Sequence, residues 1–370
     1  MRPFTKRGVV EVQFNWIFIM IAGGLILFFF MTVISYQQQL SRQKLGVELA
    51  SQLDLIFSGR GVSPGAKQPI DISDVPIQFD CNEYRVMGQR IASGNTLIFA
   101  PAEIVTKKLL TITMSFDLPF RTNTMTMMTS PQVKYYFFGF TKDMQEKIDA
   151  QLDFPLATEG EKIDYEFWGP ETQTIPTYEN NPFVRFVINN PDPTTPSITL
   201  DASFNTAGDD KISAVVVDEN KIGDEEHPLS SPLVFFQKSG TGWQQQPNGE
   251  AYTLGFPSFI GAVFTKDGTT YQCLMDRTLH RAQQVVGIAK DCADQLQKFY
   301  ATFHDPNVAS IETDQCRTIA GEGFAALQAL EQGLTIPPGG VIDTNQLTDL
   351  LTTVRDINKQ AVLATCPAFF

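Results

Sequence analysis

Between Val12 and Ser41 the chain carries no charged residue, and Trp16–Ile34 within that run is apolar almost throughout. No other feature restricts the fold as strongly. A helix of ~20 apolar residues crosses the ~30 Å of bilayer hydrocarbon, whereas in water it would have to be buried on all sides. A secretory signal has an apolar core of only about 7–15 residues and ends at a small-residue cleavage site. Here the run ends in SYQQQLSRQ instead. Trp16 and Tyr36 stand near its two ends, where amphipathic aromatics favour the membrane interface. The run therefore reads as a transmembrane helix over 12–36, in preference to a cleaved signal or a buried core helix.

The flanks set an expected orientation. Arg2, Lys6 and Arg7 precede the run with only Glu11 against them, so residues 1–11 read as a cytoplasmic tail and the rest as an ectodomain outside a single-pass anchor. The cysteines agree with that side: Cys81, Cys273, Cys292, Cys316 and Cys366 all follow the span, as in an oxidising compartment. A formal charge of −13 argues against nucleic acid as a partner. The partners expected are the membrane and either an unknown protein or a second copy through the stalk.

Residues 37–58 continue the helical rhythm as a stalk, with Leu45, Leu49, Leu53, Ile56 and Phe57 on one face. That stripe either packs on the chain's own ectodomain or forms a seam between copies. GRGVSPGAKQP reads as a linker within 59–75. Over 76–120 a small antiparallel β region is expected, centred on LLTITMSFDL, where Leu110, Ile112, Met114, Phe116 and Leu118 alternate with a polar, wet face. Over 121–270 the runs VKYYFFGF, FVRFVIN, SAVVVDE, LVFFQ and FIGAVF are continuously apolar, which marks strands covered on both faces. With KDMQEKIDAQL as a helix between them, they suggest an α/β domain with a mainly parallel sheet. Residues 271–370 carry three amphipathic stripes broken at HDPN and PPGG, with Asp343 and Gln346 as a capping pair for the third. They read as an antiparallel three-helix unit. The fold class is α/β, α+β overall.

No catalytic constellation is visible. The three histidines, His227, His280 and His304, fall in separate segments without metal-ligand spacing. His280, beside Arg277 and Arg281, reads as a surface or interface residue. There is no GxSxG elbow, Walker A loop or GxGxxG, and no cofactor is expected. SGTGW (Ser239 to Trp243) reads as a hairpin turn. The one metal candidate is DENKIGDEE, in which Asp218, Asn220 and Gly223 imitate positions 1, 3 and 6 of a calcium loop. Ile222 and Leu229 stand where two further ligands belong, so a solvated loop is the simpler reading. Asp218 also falls at the carboxyl end of an expected strand, where α/β sheets bind ligands. No N-x-S/T sequon occurs.

At KRGVVEVQFNWIF, LLTITMSFDLPFRTNTMTMMTSPQVKYYFFGF, YQCLMDRTLHRA and CPAFF, the chain resembles a family of single-pass membrane proteins of small-genome (DPANN-type) archaea. That resemblance implies an architecture and no assigned activity. The start also resembles an archaeal prepilin leader cut after Gly8, although Glu11 is the third residue after Gly8 and that pattern places a glutamate fifth.

Helix geometry limits the disulfides. Cys292 follows Cys273 by nineteen residues, on the order of 28 Å along a helix. In an up-down-up unit Cys292, Cys316 and Cys366 share one pole and Cys273 stands at the other. A disulfide needs Cα atoms within roughly 4.4–6.8 Å, so Cys273 is left with Cys81. Cys316–Cys366 is expected at the shared pole, with Cys292 a buried thiol and Cys292–Cys316 as runner-up. The expected function is a membrane-anchored binding or scaffold module, with a pilin-like filament subunit or an enzyme on the α/β domain as alternatives.

Overall fold

The structure is a computed structural model describing residues 7–60, 63–154, 162–169, 183–223, 230–302, 310–335 and 344–368. Helix α1 (Arg7–Arg60) runs without a break through the expected anchor and stalk. Among the described residues it is the one helix long and apolar enough to cross a membrane, and none of its most apolar stretch is buried against them. Further along, Leu49 and Leu53 are buried against the outer face of the first sheet. Gly46 makes this docking close: a Cβ there would meet the Val86 carbonyl at 3.4 Å. Those two leucines of the stalk stripe therefore pack on the chain's own first sheet. The side chains of Leu45, Ile56 and Phe57 lie outside the described residues.

The first sheet contains β1 (Lys67–Phe79), β2 (Glu83–Val86), β3 (Gln89–Ala92), β4 (Leu97–Phe99), β5 (Glu103–Asp117) and β6 (Arg121–Thr129), in the order β3-β2-β1-β5-β6-β4. It is wider than 76–120. The expected linker 59–75 contains the first half of β1, and β6 belongs to this sheet rather than to the α/β domain. Pro69 and Pro76 disguise β1, yet both lie where it pairs with β5 alone, because β2 joins only from Ile77. A strand tolerates proline where one side is unpaired. The sheet is also not purely antiparallel, since β4 runs parallel to β6. The expected wet face of β5 is covered: Thr111 and Thr113 are fully buried, donating from their hydroxyls to the carbonyls of Gln68 and Ser63 at 3.0 and 2.8 Å.

The second sheet takes β7 (Val133–Phe138), β8 (Asp164–Trp168), β9 (Phe183–Asn189), β10 (Ile212–Val217), β11 (Ser230–Ser239) and β12 (Gly242–Leu254), in the order β12-β11-β10-β9-β7-β8. Strands β8, β7, β9 and β10 are parallel, and β11 and β12 close the edge antiparallel. SGTGW makes the β11–β12 hairpin turn. Both faces are buried, which explains the unbroken apolar runs: Val187, Val215 and Phe235 face the core shared with the first sheet, while Phe186, Val216 and Phe236 face the opposite side. α2 (Lys142–Leu152) lies on the shared side through Ile148 and Leu152.

FIGAVF is not a strand. It forms most of α3 (Gly255–Phe264), a helix buried on nearly every side between the two sheets. A short continuous apolar run has the same sequence signature in a fully covered strand and a fully covered helix. Gly261 permits the position, because a Cβ there would strike the Phe99 ring at 2.8 Å. The chain then enters α4 (Gly268–Thr302), α5 (Ser310–Gly333) and α6 (Thr344–Leu363). HDPN, PPGG and Asp343 lie outside the described residues.

Two cysteine pairs stand at bonding distance, Cys81–Cys273 with Cα atoms 5.9 Å apart and Cys316–Cys366 with 5.5 Å. These are the two pairs favoured by the pole argument. The thiol of Cys292 is free and exposed, not buried, because its side of α4 turns away from the stripe of Ala282, Val286, Ala289 and Ala293 that enters the core. One turn beyond Cys273, Arg277 donates to the Cys81 carbonyl and to Ser93 Oγ at 3.0 Å, and Arg281 to the Asn95 carbonyl at 3.1 Å. The staple and these arginines tie the first sheet to the root of α4.

Candidate functional site

The parallel strands have two ends, and they differ. At the carboxyl end β7 leads through α2 to β8 on one flank, while β9 lies on the other flank. The connections therefore diverge between β7 and β9, the switch point where open α/β sheets usually hold ligands. Here the chain fills that crevice with its own groups. Gly139 (φ 76°) turns the chain out of β7, and Thr141 caps α2, its Oγ accepting from the Met144 amide at 3.4 Å. At the end of β9, Asn189 donates from Nδ2 to the Gly139 carbonyl at 2.9 Å and accepts the Glu219 amide at 3.0 Å. The Glu219 carboxylate then accepts the Thr141 amide at 3.1 and 3.3 Å. A helix N-terminus attracts an anion through its free amides and its dipole, and at α2 that anion is Glu219. Burial, reinforced by the charge of Asp218, raises the Glu219 pKa against the lowering effect of these hydrogen bonds.

Asp218, the metal candidate, is 4% exposed at the end of β10. Its Oδ1 accepts from the Asn220 amide and from Asn220 Nδ2, both at 3.2 Å, and its Oδ2 lies 3.3 Å from the Lys221 ammonium. A lysine therefore stands beside the oxygens that would face a cation. Ile222 is fully buried in the core. Among the described residues no group of three His, Cys, Asp or Glu side chains could hold a metal ion. The structure thus gives Asp218 and Asn220 a turn-forming arrangement; Leu229, His227 and His304 lie outside the described residues. His280 is exposed on α4, with its Nε2 3.3 Å from Gln284 Nε2.

At the amino end the arrangement is open. A cleft of about 340 Å³ runs between the β4–β5 turn of the first sheet (Pro101 to Glu103), the starts of β7, β9 and β10, and the end of α3. Arg185 of β9 stands along it and is 4% exposed. Its Nη2 donates to the carbonyls of Ala262 and Thr265 at 2.9 and 2.7 Å, and its Nη1 to that of Lys266 at 3.3 Å. The guanidinium lies 5.1 Å from the centre of the Phe235 ring. It therefore caps the carboxyl end of α3, where a cation suits the dipole. Among the described residues it has no carboxylate at hydrogen-bond distance and its buried Nε–H finds no acceptor, and burial pulls its pKa down to about 9, offset only in part by Tyr135 and Asp267.

Neither Glu219 nor Arg185 stands out by motif. The available signal for Arg185 was a lone charge in the middle of FVRFVIN: a strand covered on both faces must find that charge a partner. Glu219 sat inside a segment whose acidity reads as solvated. No protein-family profile, no curated protein and no solved structure matches the chain.

Proposed function

We propose that the chain is a binding or scaffold protein held to the cell membrane by α1, with residues 1–11 cytoplasmic and everything after about residue 36 outside. The observation that carries this reading is α1 itself. One unbroken helix offers a bare apolar stretch, then docks its far end on the folded part through Gly46, Leu49 and Leu53, so the anchor is rigidly continued into the ectodomain. The two cysteine pairs support an oxidising compartment, and the basic flank before the span supports a cytoplasmic N-terminus. The switch point occupied by Glu219 favours binding or scaffolding over catalysis on the parallel sheet. Protease added to intact cells should remove the ectodomain and leave a membrane-bound fragment. Full protection in cells, with cleavage in the lysate, would overturn the orientation.

The same helix favours a second reading, a pilin-like filament subunit processed after Gly8. A bare apolar stretch continuous with a docked one is what copies of a chain would bundle through. The mass of the native N-terminus separates the two: a chain starting at Val9 supports the filament, and an uncut one the anchor.

A further inference from the structure

We infer that the cleft between the two sheets, at the amino ends of β7, β9 and β10, binds a small organic anion with an apolar body. Its volume of about 340 Å³ lies at the lower end of small-ligand pockets, which are roughly 300–1,000 Å³. Its walls divide by chemistry. Phe183, Val263 and Phe264 supply apolar surface, while Lys211 and Lys266 bring two ammonium groups that no described ion pair engages. Arg185 adds a third cation along the same cleft, held in place by the end of α3. Among the residues that line the cleft, Glu103 and Asp210 oppose these three; Glu103 accepts a hydrogen bond from Gln78 at 3.4 Å, and Asp267, outside the lining, acts on Arg185 through its charge alone. In a chain of net charge −13, a cleft with more cations than carboxylates is a local reversal of sign. Buried cations are ordinarily compensated by a paired anion, and among the described residues the hydrogen bonds of this guanidinium go to carbonyls alone. A bound carboxylate or phosphate between the lysines would complete that balance, with its apolar part against Phe183 and Phe264.

The test uses the full chain in lipid nanodiscs, with empty nanodiscs as the blank, and calorimetric titration. Phenylacetate and phenyl phosphate are the anionic probes; phenethylamine and phenethyl alcohol match them in size with the opposite charge or none. Both anions should saturate and bind at least about tenfold tighter than the amine or the alcohol, and the tighter of the two identifies the headgroup. The surface double variant K211Q/K266Q should weaken anion binding about tenfold, the order expected for one charge-assisted hydrogen bond, with an unchanged melting temperature. An amine that binds as tightly, no anion binding up to roughly 10 mM, or an anion affinity unaltered by the double variant would each overturn the inference. Protease topology is read independently, so a failure here leaves the anchoring proposal intact.

Discussion

The two ends of the parallel strands reverse the usual division of labour in an open α/β sheet. At the carboxyl end, where ligands usually gather, Asn189, Glu219 and Thr141 bond to one another and close the switch point from within. At the amino end, usually given over to stability, a cleft stands open beside a buried arginine. The difference follows from what covers each end. The carboxyl end belongs to one sheet and its own loops, so the chain can satisfy it locally. The amino end abuts a second sheet, and the two sheets, packed on α3 and held by a covalent staple from the first sheet to α4, leave a seam that neither fills alone.

The largest effect expected from breaking this contrast is loss of the staple. Cys81 and Cys273 are 192 residues apart in sequence, and in the chain-entropy view a closed loop of that size contributes about 5 kcal/mol, against about 4 kcal/mol for a loop the size of Cys316–Cys366. Replacing both Cys81 and Cys273 by serine should therefore lower stability by several kcal/mol, read as a shift of the denaturant midpoint. It should also act on one end more than the other. Hydrogen exchange should rise around Glu103 and Lys266, which lie on opposite walls of the seam, while the amides of Thr141 and Glu219 stay protected. An equal rise at both ends would show that the two are one cooperative unit and that the contrast has no energetic meaning.

A smaller effect is expected at the carboxyl end. Glu219→Ala removes the acceptor from the Thr141 amide at the start of α2, and a partly buried donor left without a partner costs about 1–3 kcal/mol. The vacated position should then behave as a helix N-terminus does and take up an anion. Phosphate at constant ionic strength should raise the melting temperature of Glu219→Ala more than that of the wild type. If phosphate stabilises both proteins equally, the carboxylate is not standing in for an anion.

These two ends were unequally legible in the sequence, and for different reasons. The long apolar helix, the amphipathic helices and the cysteine pairs could be read because each depends on spacing along one helix: nineteen residues separate Cys273 from Cys292 whatever surrounds them. β1 was hidden by Pro69 and Pro76, whose tolerance depends on having a single partner strand there. α3 was misread because burial on all sides erases the difference between periods of 2 and 3.6. The carboxyl end was approached through Asp218, correctly placed at the end of β10, but the residue that closes the crevice is its neighbour Glu219, and its partner Thr141 lies 78 positions away. Such a contact has no local pattern. Arg185 was legible only as an anomaly within an apolar run, and the carbonyls it caps belong to the last turn of the helix that was read as a strand and to the two residues after it.

The smallest effect sharpens the contrast through pH. Burial raises the Glu219 pKa above its ordinary value, so the folded state favours the protonated form more than the unfolded chain does. The sign follows by linkage: stability from this group is fully present below its unfolded pKa and is lost as pH rises through the higher folded one. It opposes the trend of Asp201 and Asp209, which hydrogen bonds hold below the ordinary carboxylate value, and which lose stability as pH falls. The whole-chain profile therefore mixes both signs, and the readout must be a difference. Glu219→Gln keeps an oxygen for the Thr141 amide and removes the titration. The stability of the wild type minus that of Glu219→Gln, taken from denaturant midpoints, should increase as pH falls from neutrality through the acidic range. A flat difference would mean that Glu219 ionises as freely in the fold as in the open chain. A difference that decreases would mean that its hydrogen bonds with Thr141 outweigh burial, so that the carboxyl end of the sheet favours the charged carboxylate.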